Sequence, residues 1–226
     1  MNWRMALRRT LQLVGLLVAI SYPVMPALAV CDPNKSTLDK VDLLGAQGKF
    51  DDALKLLDGV PAASQQDFRF NYSKGKMLYL KAALTDRNHW NPPLPLSPTM
   101  AQGLQTLVAA ARMLPSLDAA CATQLNAYSI LNTIGAFYLN RGYFKDAENY
   151  LLQAYANDSK VTADTKRKIR DNLGLVYLEE RKPDEAIRYY SEALTLHSNV
   201  ASAQLVKAQA LKNTQVAKPV VPAARK

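Results

Sequence analysis

GLVYLEERKPDEAIRYYSEAL, residues 174–194, decides the fold. It holds no obvious catalytic group. It sets a small residue, an aromatic and an alanine at regular intervals around a proline. An earlier stretch, GAFYLNRGYFKDAENYLLQAY, residues 135–155, has the same layout. Aligning Gly135 with Gly174 also pairs Ile134 with Leu173, Tyr138 with Tyr177, Ala147 with Ala186 and Ala154 with Ala193, always at the same offset in residue number. Internal repetition at a fixed period of this order is the signature of stacked repeats.

The residue types follow from packing. Ile130, Ile134 and Tyr138 recur at helical spacing, as do Ile169, Leu173 and Tyr177, so each run predicts one amphipathic helix. A turn follows at Asn140-Arg141-Gly142 or at Arg181-Lys182-Pro183. A second helix then carries Ala147, Leu151 and Ala154, or Ala186, Tyr190 and Ala193. Pro183 suits the first turn of that helix, where a missing N–H costs little. Gly135 and Ala147 are small where the helices of a pair cross, and Ala154 is small where the next pair docks. One pair cannot bury its apolar faces alone, so the pairs must stack.

The Leu/Ile-Gly, Tyr, Ala, Leu/Tyr and Ala series in residues 128–200 resembles the tetratricopeptide repeat family. The resemblance has departures. The usual first-helix Trp is Leu131 in one copy and Arg170 in the other, the usual terminal Pro is Ser159 or Ser198, and the last turn has Arg181 in place of Gly. The period exceeds the family's value of about 34 by roughly five, which places the extra residues near Lys160–Thr165.

Weaker copies extend the array. GAQGKFDDALKLLDGVP, residues 45–61, matches the second helix, with Gly48, Phe50, Ala53 and Leu57 standing for Gly142, Phe144, Ala147 and Leu151. Ser36 and Asp39 have the spacing of a capping box for the helix before it. A cryptic copy joins FRFNYSKGKMLYLKAAL, residues 68–84, to MAQGLQTLVAAARMLP, residues 100–115, across the insertion TDRNHWNPPLPLSP, residues 85–98. The expected architecture is all-α: a right-handed solenoid of about four helix pairs over residues 30–212. Its repeats are 34–61, 66–115, 128–161 and 167–200, with a capping helix at 201–212 and a disordered basic tail at 213–226.

The first residues read as a secretory leader. MNWRMALRR is positively charged, LQLVGLLVAISYPVM is apolar, and Ala27-Leu28-Ala29 is an A-x-A site that predicts cleavage after Ala29. Pro23 and Pro26 interrupt the apolar run and disfavour an uncleaved anchor. Val30 is too large to precede an acylated cysteine, which disfavours a lipid anchor on Cys31. The expectation is an exported, periplasmic protein with no membrane span after processing. In an oxidising compartment the two cysteines, Cys31 and Cys121, suggest one disulfide. Both precede first helices two repeats apart, and regular helix spacing separates such positions by roughly 20 Å, far beyond disulfide reach. Compartment and geometry disagree, and the pairing stays open.

Chemistry is sparsely provided. The formal charge is +9, but six of the 28 basic residues lie in the first and last nine positions. That leaves 22 against 19 acidic residues in the body, a charge of +3 with no basic stripe interleaved with aromatics, which argues against nucleic acid. There is no HExxH, GxSxG, CxxC pair or Gly-rich phosphate loop, and only two histidines, His89 and His197. No cofactor, no metal and no enzymatic role are expected. The resemblance implies protein or peptide partners, here of the cell envelope, bound on the concave side of the first helices. Mapped onto this chain the groove residues are Asn132, Ala136, Leu139 and Asn140, then Lys168, Asp171, Asn172, Leu175 and Glu179. The insertion offers a second recognition segment at His89, Trp90, Pro92, Pro93 and Pro95, because Pro-rich chain is stiff and loses little entropy on docking. A periplasmic holdase, or an enzyme with an unrecognised site, is the alternative.

Overall fold

A computed structural model describes residues 31, 32, 34–85 and 95–216. The leader at 1–29, the insertion residues His89, Trp90, Pro92 and Pro93, and the tail beyond Val216 lie outside the described residues. Ten α-helices and three short 3₁₀ turns account for most of what is described, and the described residues contain no strand. The helices are α1 (Lys35–Ala46), α2 (Phe50–Asp58), α3 (Phe68–Thr85), α4 (Pro98–Ala111), α5 (Ala119–Gln124), α6 (Ser129–Leu139), α7 (Phe144–Ala156), α8 (Ala163–Glu179), α9 (Pro183–Thr195) and α10 (Ala201–Val216). They pair as α1/α2, α3/α4, α6/α7 and α8/α9, and α10 packs on α8 and α9 as a terminal helix. The architecture is an all-α solenoid. Pro183 opens α9, where its missing N–H has no intrahelical partner to lose.

The pairs are held together at their glycines. A Cβ on Gly75 would lie 2.8 Å from the Gly103 carbonyl oxygen, and one on Gly103 would lie 2.7 Å from the Tyr79 amide nitrogen. The α3 and α4 backbones therefore touch. At the equivalent crossings Gly135 faces Leu151 and Gly174 faces the Tyr190 ring, each at 2.6 Å from a notional Cβ. Helices α7 and α9 are both 13 residues long and start one full period apart. The long period is absorbed before α8. Residues Asp158–Lys160 make a 3₁₀ turn, and Thr162 caps α8 by accepting from the Thr165 amide. In the preceding repeat the chain breaks instead at Asn126, whose φ of 48° lies in the left-handed region that Asn tolerates. Its side chain spans to the next repeat, donating to Thr165 Oγ1 at 3.1 Å and accepting from the Thr162 amide at 3.3 Å.

Two buried clusters form. The larger runs from α3 to α10, and the smaller joins Leu38, Val41, Phe50, Ala53, Leu57 and Val60 to Phe70 and Met77. Helix α3 is the shared wall, because it gives Phe68, Tyr79 and Ala82 to the larger cluster. Tyrosines mark the repeat inside it. Tyr138 stacks on Tyr150 at 5.7 Å, and at the equivalent place in the next repeat Tyr177 stacks on Tyr189 at 5.5 Å. Arg170, standing where the family has Trp, is 12% exposed, forks onto Asp158, reaches Glu192 and lies over the Tyr155 ring. A cation with two carboxylates thus does the packing of an indole.

Four expectations change. Asn34, not Ser36, precedes α1, and Asp39 bonds Lys35 and Arg69 rather than a backbone amide, so there is no capping box. The terminal helix runs to Val216, through the first four residues assigned to the tail, because Gln215 donates to the Arg181 carbonyl at 2.9 Å. Its outward positions Ser202, Gln209 and Asn213 are exposed and polar. An unanticipated helix, α5, precedes the third pair. Finally, Cys31 and Cys121 are joined, with Cα atoms 5.1 Å apart. The wide separation expected of them assumed that both sit at the heads of their own repeats. In fact α5 is outside the repeat, and the N-terminal strap bends over the start of α3, where Asp32 bonds Arg69.

Gly103→Ala forces a methyl against backbone that cannot yield, and should lower stability by about 3 kcal/mol. Urea unfolding or a fall in Tm of about 6–12 °C measures this. Tyr190 gives the opposite result. Its hydroxyl is buried without a hydrogen-bond partner, so Tyr190→Phe should stabilise the protein by about 1 kcal/mol at neutral pH. Burial also pushes the Tyr190 and Tyr177 phenols well above their ordinary range. The folded chain then keeps protons that the unfolded chain releases, so stability is whole below about pH 10 and falls as pH rises beyond it. Tyr190→Phe should make that alkaline fall shallower.

Candidate functional site

The candidate site is the face that the first helices α3, α6 and α8 turn away from their partners. Each helix is placed by its crossing glycine, so positions can be counted from Gly75, Gly135 and Gly174. Three residues before the glycine stand Tyr72, Asn132 and Asp171; two before it stand Ser73, Thr133 and Asn172. One after it stand Lys76, Ala136 and Leu175, and five after it Leu80, Asn140 and Glu179. At 100° per residue the last two sets lie on one stripe.

The seams between successive first helices are hydrogen-bonded. Tyr72 Oη meets Thr133 Oγ1 at 3.2 Å, and the Asn172 amide donates to Asn132 Oδ1 at 3.0 Å. These are equivalent rungs one repeat apart. The third rung is broken, because the residue one period beyond Asn172 is Leu211. Asp171 instead accepts from Ser198 Oγ at 2.7 Å, and Ser198 Oγ in turn accepts from the Val200 and Ala201 amides at the start of α10. Burial raises the Asp171 carboxyl above its usual range, against the lowering effect of Ser198 and Arg167.

The expected groove is therefore divided. Asn132, Asn172 and Asp171 are half-buried and spend polar atoms on the seams. Leu139 is corrected outright: it is 1% exposed and belongs to the core. Four residues after the glycine, its side chain turns inward beside the crossing. Ala136 and Leu175 remain half-buried, while Asn140, Lys168 and Glu179 are exposed. Lys168 pairs with Asp164 at 2.7 Å, and the two neighbouring cations Lys168 and Arg167 hold the Asp164 carboxyl below its usual range. In the insertion, Pro95 is exposed beside Leu96, which packs on the core.

Paired carboxylates have structural partners. Asp51 bonds Lys81, Asp184 bonds Lys212, and Glu180 lies between Lys182 and Lys145. His197 occupies a left-handed turn after α9 and donates its amide to the Leu194 carbonyl. Among the described residues no group of three or more His, Cys, Asp or Glu is placed to hold a metal ion. Nor is any described helix long and apolar enough to cross a membrane.

Sequence reasoning missed the seams. The signal was present as polar residues at repeat-equivalent positions: Asn132 with Asp171, Thr133 with Asn172, and Asn126 with Thr165, each pair one period apart. A double-mutant cycle tests the rung itself. Asn132→Ala and Asn172→Ala should each cost about 1 kcal/mol, and the pair less than their sum by about 0.5–1 kcal/mol, measured by urea unfolding.

Residues 126–199, spanning α6 to α9, match the family described as Tetratricopeptide repeat. Neither the curated proteins nor the solved structures gave a match. The fixed repeat period, the glycine crossings and this match make residues 126–199 tetratricopeptide repeats.

Proposed function

We propose that this protein is an exported scaffold or adaptor that binds protein partners of a cell-envelope complex along its first-helix face. The repeat match supports the general role, since such repeats are typically protein–protein interaction modules. The stripe of Ala136, Asn140, Lys168, Leu175 and Glu179 carries the specific reading. It offers an apolar strip flanked by an amide and two opposite charges. An extended partner segment lays an apolar side chain on Ala136 and Leu175. Its backbone meets the Asn140 amide, which both donates and accepts. Lys168, in the second turn of α8, and Glu179, at its last residue, set its direction. The disulfide supports export, since such bridges persist in oxidising compartments, and the Ala27-Leu28-Ala29 site supplies the route. A holdase is less well supported, because the large exposed apolar residues of α1, α3, α7 and α10 stand on separate helices rather than on one stripe.

Photo-crosslinkers at Asn140 and at Leu152, on α7, separate the readings in the native host. A discrete adduct from Asn140 and none from Leu152 is expected. Leu175→Arg should reduce its yield at least tenfold while shifting Tm by less than about 2 °C, since the site is only half-buried. The same adduct ladder from both positions would defeat the scaffold reading. Mass spectrometry of the recovered chain should find Val30 at its N-terminus.

A further inference from the structure

The first helix pair is attached to the rest of the array in an unusual way. It has its own small core, shared with the remainder through Phe70, Met77 and Leu80 of α3. Every described ion pair between the two has the same polarity. The cations Arg69, Lys76 and Lys81 all come from α3, and the anions Asp32, Asp39, Asp42 and Asp51 all come from the strap, α1 and α2. Asp39, Asp42 and Asp51 are substantially solvated, at 46%, 39% and 80% exposure, and pairs of that kind hold weakly.

Asp32 is different. Its side chain is 4% exposed and its Oδ2 takes Arg69, yet its Oδ1 is buried with no partner. Burial and the Asp32 charge together raise the nearby Asp67 carboxyl. Folding that strap down leaves one Asp32 carboxylate oxygen buried and unsatisfied, and the adjacent Cys31–Cys121 bond, which links positions 90 apart in the chain, holds it there.

We propose that Cys31–Cys121 is a redox latch on the first helix pair, which without the bond separates readily from α3. Opening follows thiol–disulfide exchange with a dithiol. A dithiol thiolate attacks the Cys31 sulfur, the half-buried member of the pair, forming a mixed disulfide and expelling the Cys121 thiolate. The second dithiol sulfur, as thiolate, displaces Cys31. Two protons from solvent leave two protein thiols and one oxidised dithiol. The strap is then free to return Asp32 to water, and the basic, apolar face of α3 (Arg69, Phe70, Lys76, Met77) opens. This inference does not depend on the scaffold reading.

Hydrogen exchange on the full chain tests it, comparing the oxidised protein, the same protein reduced with dithiothreitol, and Cys31→Ser/Cys121→Ser. Amides of residues 35–58 should exchange more than threefold faster in the reduced protein, with residues 129–195 unchanged. A smaller increase, or an equal loss of protection across 129–195, overturns the latch. The reduced wild-type chain decides the matter if the double variant does not fold.

Discussion

The close approach of helices at the crossing glycines governs the rest of this structure. With no Cβ at Gly75 and Gly103, α3 and α4 meet main chain to main chain. That distance fixes where every other residue of the pair points. Large side chains such as Leu107, Leu151 and Tyr190 then have a defined slot over the glycine of the partner helix. The seams, the tyrosine stacks and the outward stripe all inherit their positions from it. A pair set farther apart would lose close packing, and a pair set closer has no room.

Departures from the repeat pattern are compensated locally. Arg170 replaces an aromatic residue, and its charge is met by Asp158 and Glu192 while its plane covers Tyr155. Ser198 takes the place of a terminal proline and becomes the cap of α10, held by Asp171. Both replacements exchange an apolar contact for hydrogen bonds that join one repeat to the next. Tyr190 is the uncompensated case, a ring that packs well on Gly174 and carries a hydroxyl with nothing to bond.

The helix pairs were legible because their signals are local. Gly135, Tyr138, Ala147 and their counterparts in the next repeat follow one helical period, and Pro183 marks a helix start. What was hidden depends on residues far apart in sequence. Nothing near Arg69 announces that it will gather Asp32, Asp39 and Asp42. Near Cys121 only Asp118, the N-cap of α5, marks that short helix, and the bridge to Cys31 followed from it and from the path of the strap. The outward stripe was partly legible: Asn140, Lys168 and Glu179 are exposed, and Ala136 and Leu175 are half-buried. The inward turn of Leu139 was hidden, because a leucine four positions after a glycine turns inward or outward according to the neighbouring helix. Asn132 and Asn172 bond each other across a seam that periodicity alone does not reveal.

The outer side of α10, polar at Ser202, Gln209 and Asn213 around an exposed Val206, bears on how such a chain can change its length. A further unit joined after Val216 would have to cover Ser202, Gln209 and Asn213 with greasy side chains, stranding their amides and hydroxyl. A unit copied between α7 and α8 meets surfaces already matched to it on both sides. Lineages of this protein should therefore grow or shrink from the middle, by whole helix pairs, while both ends stay recognisable.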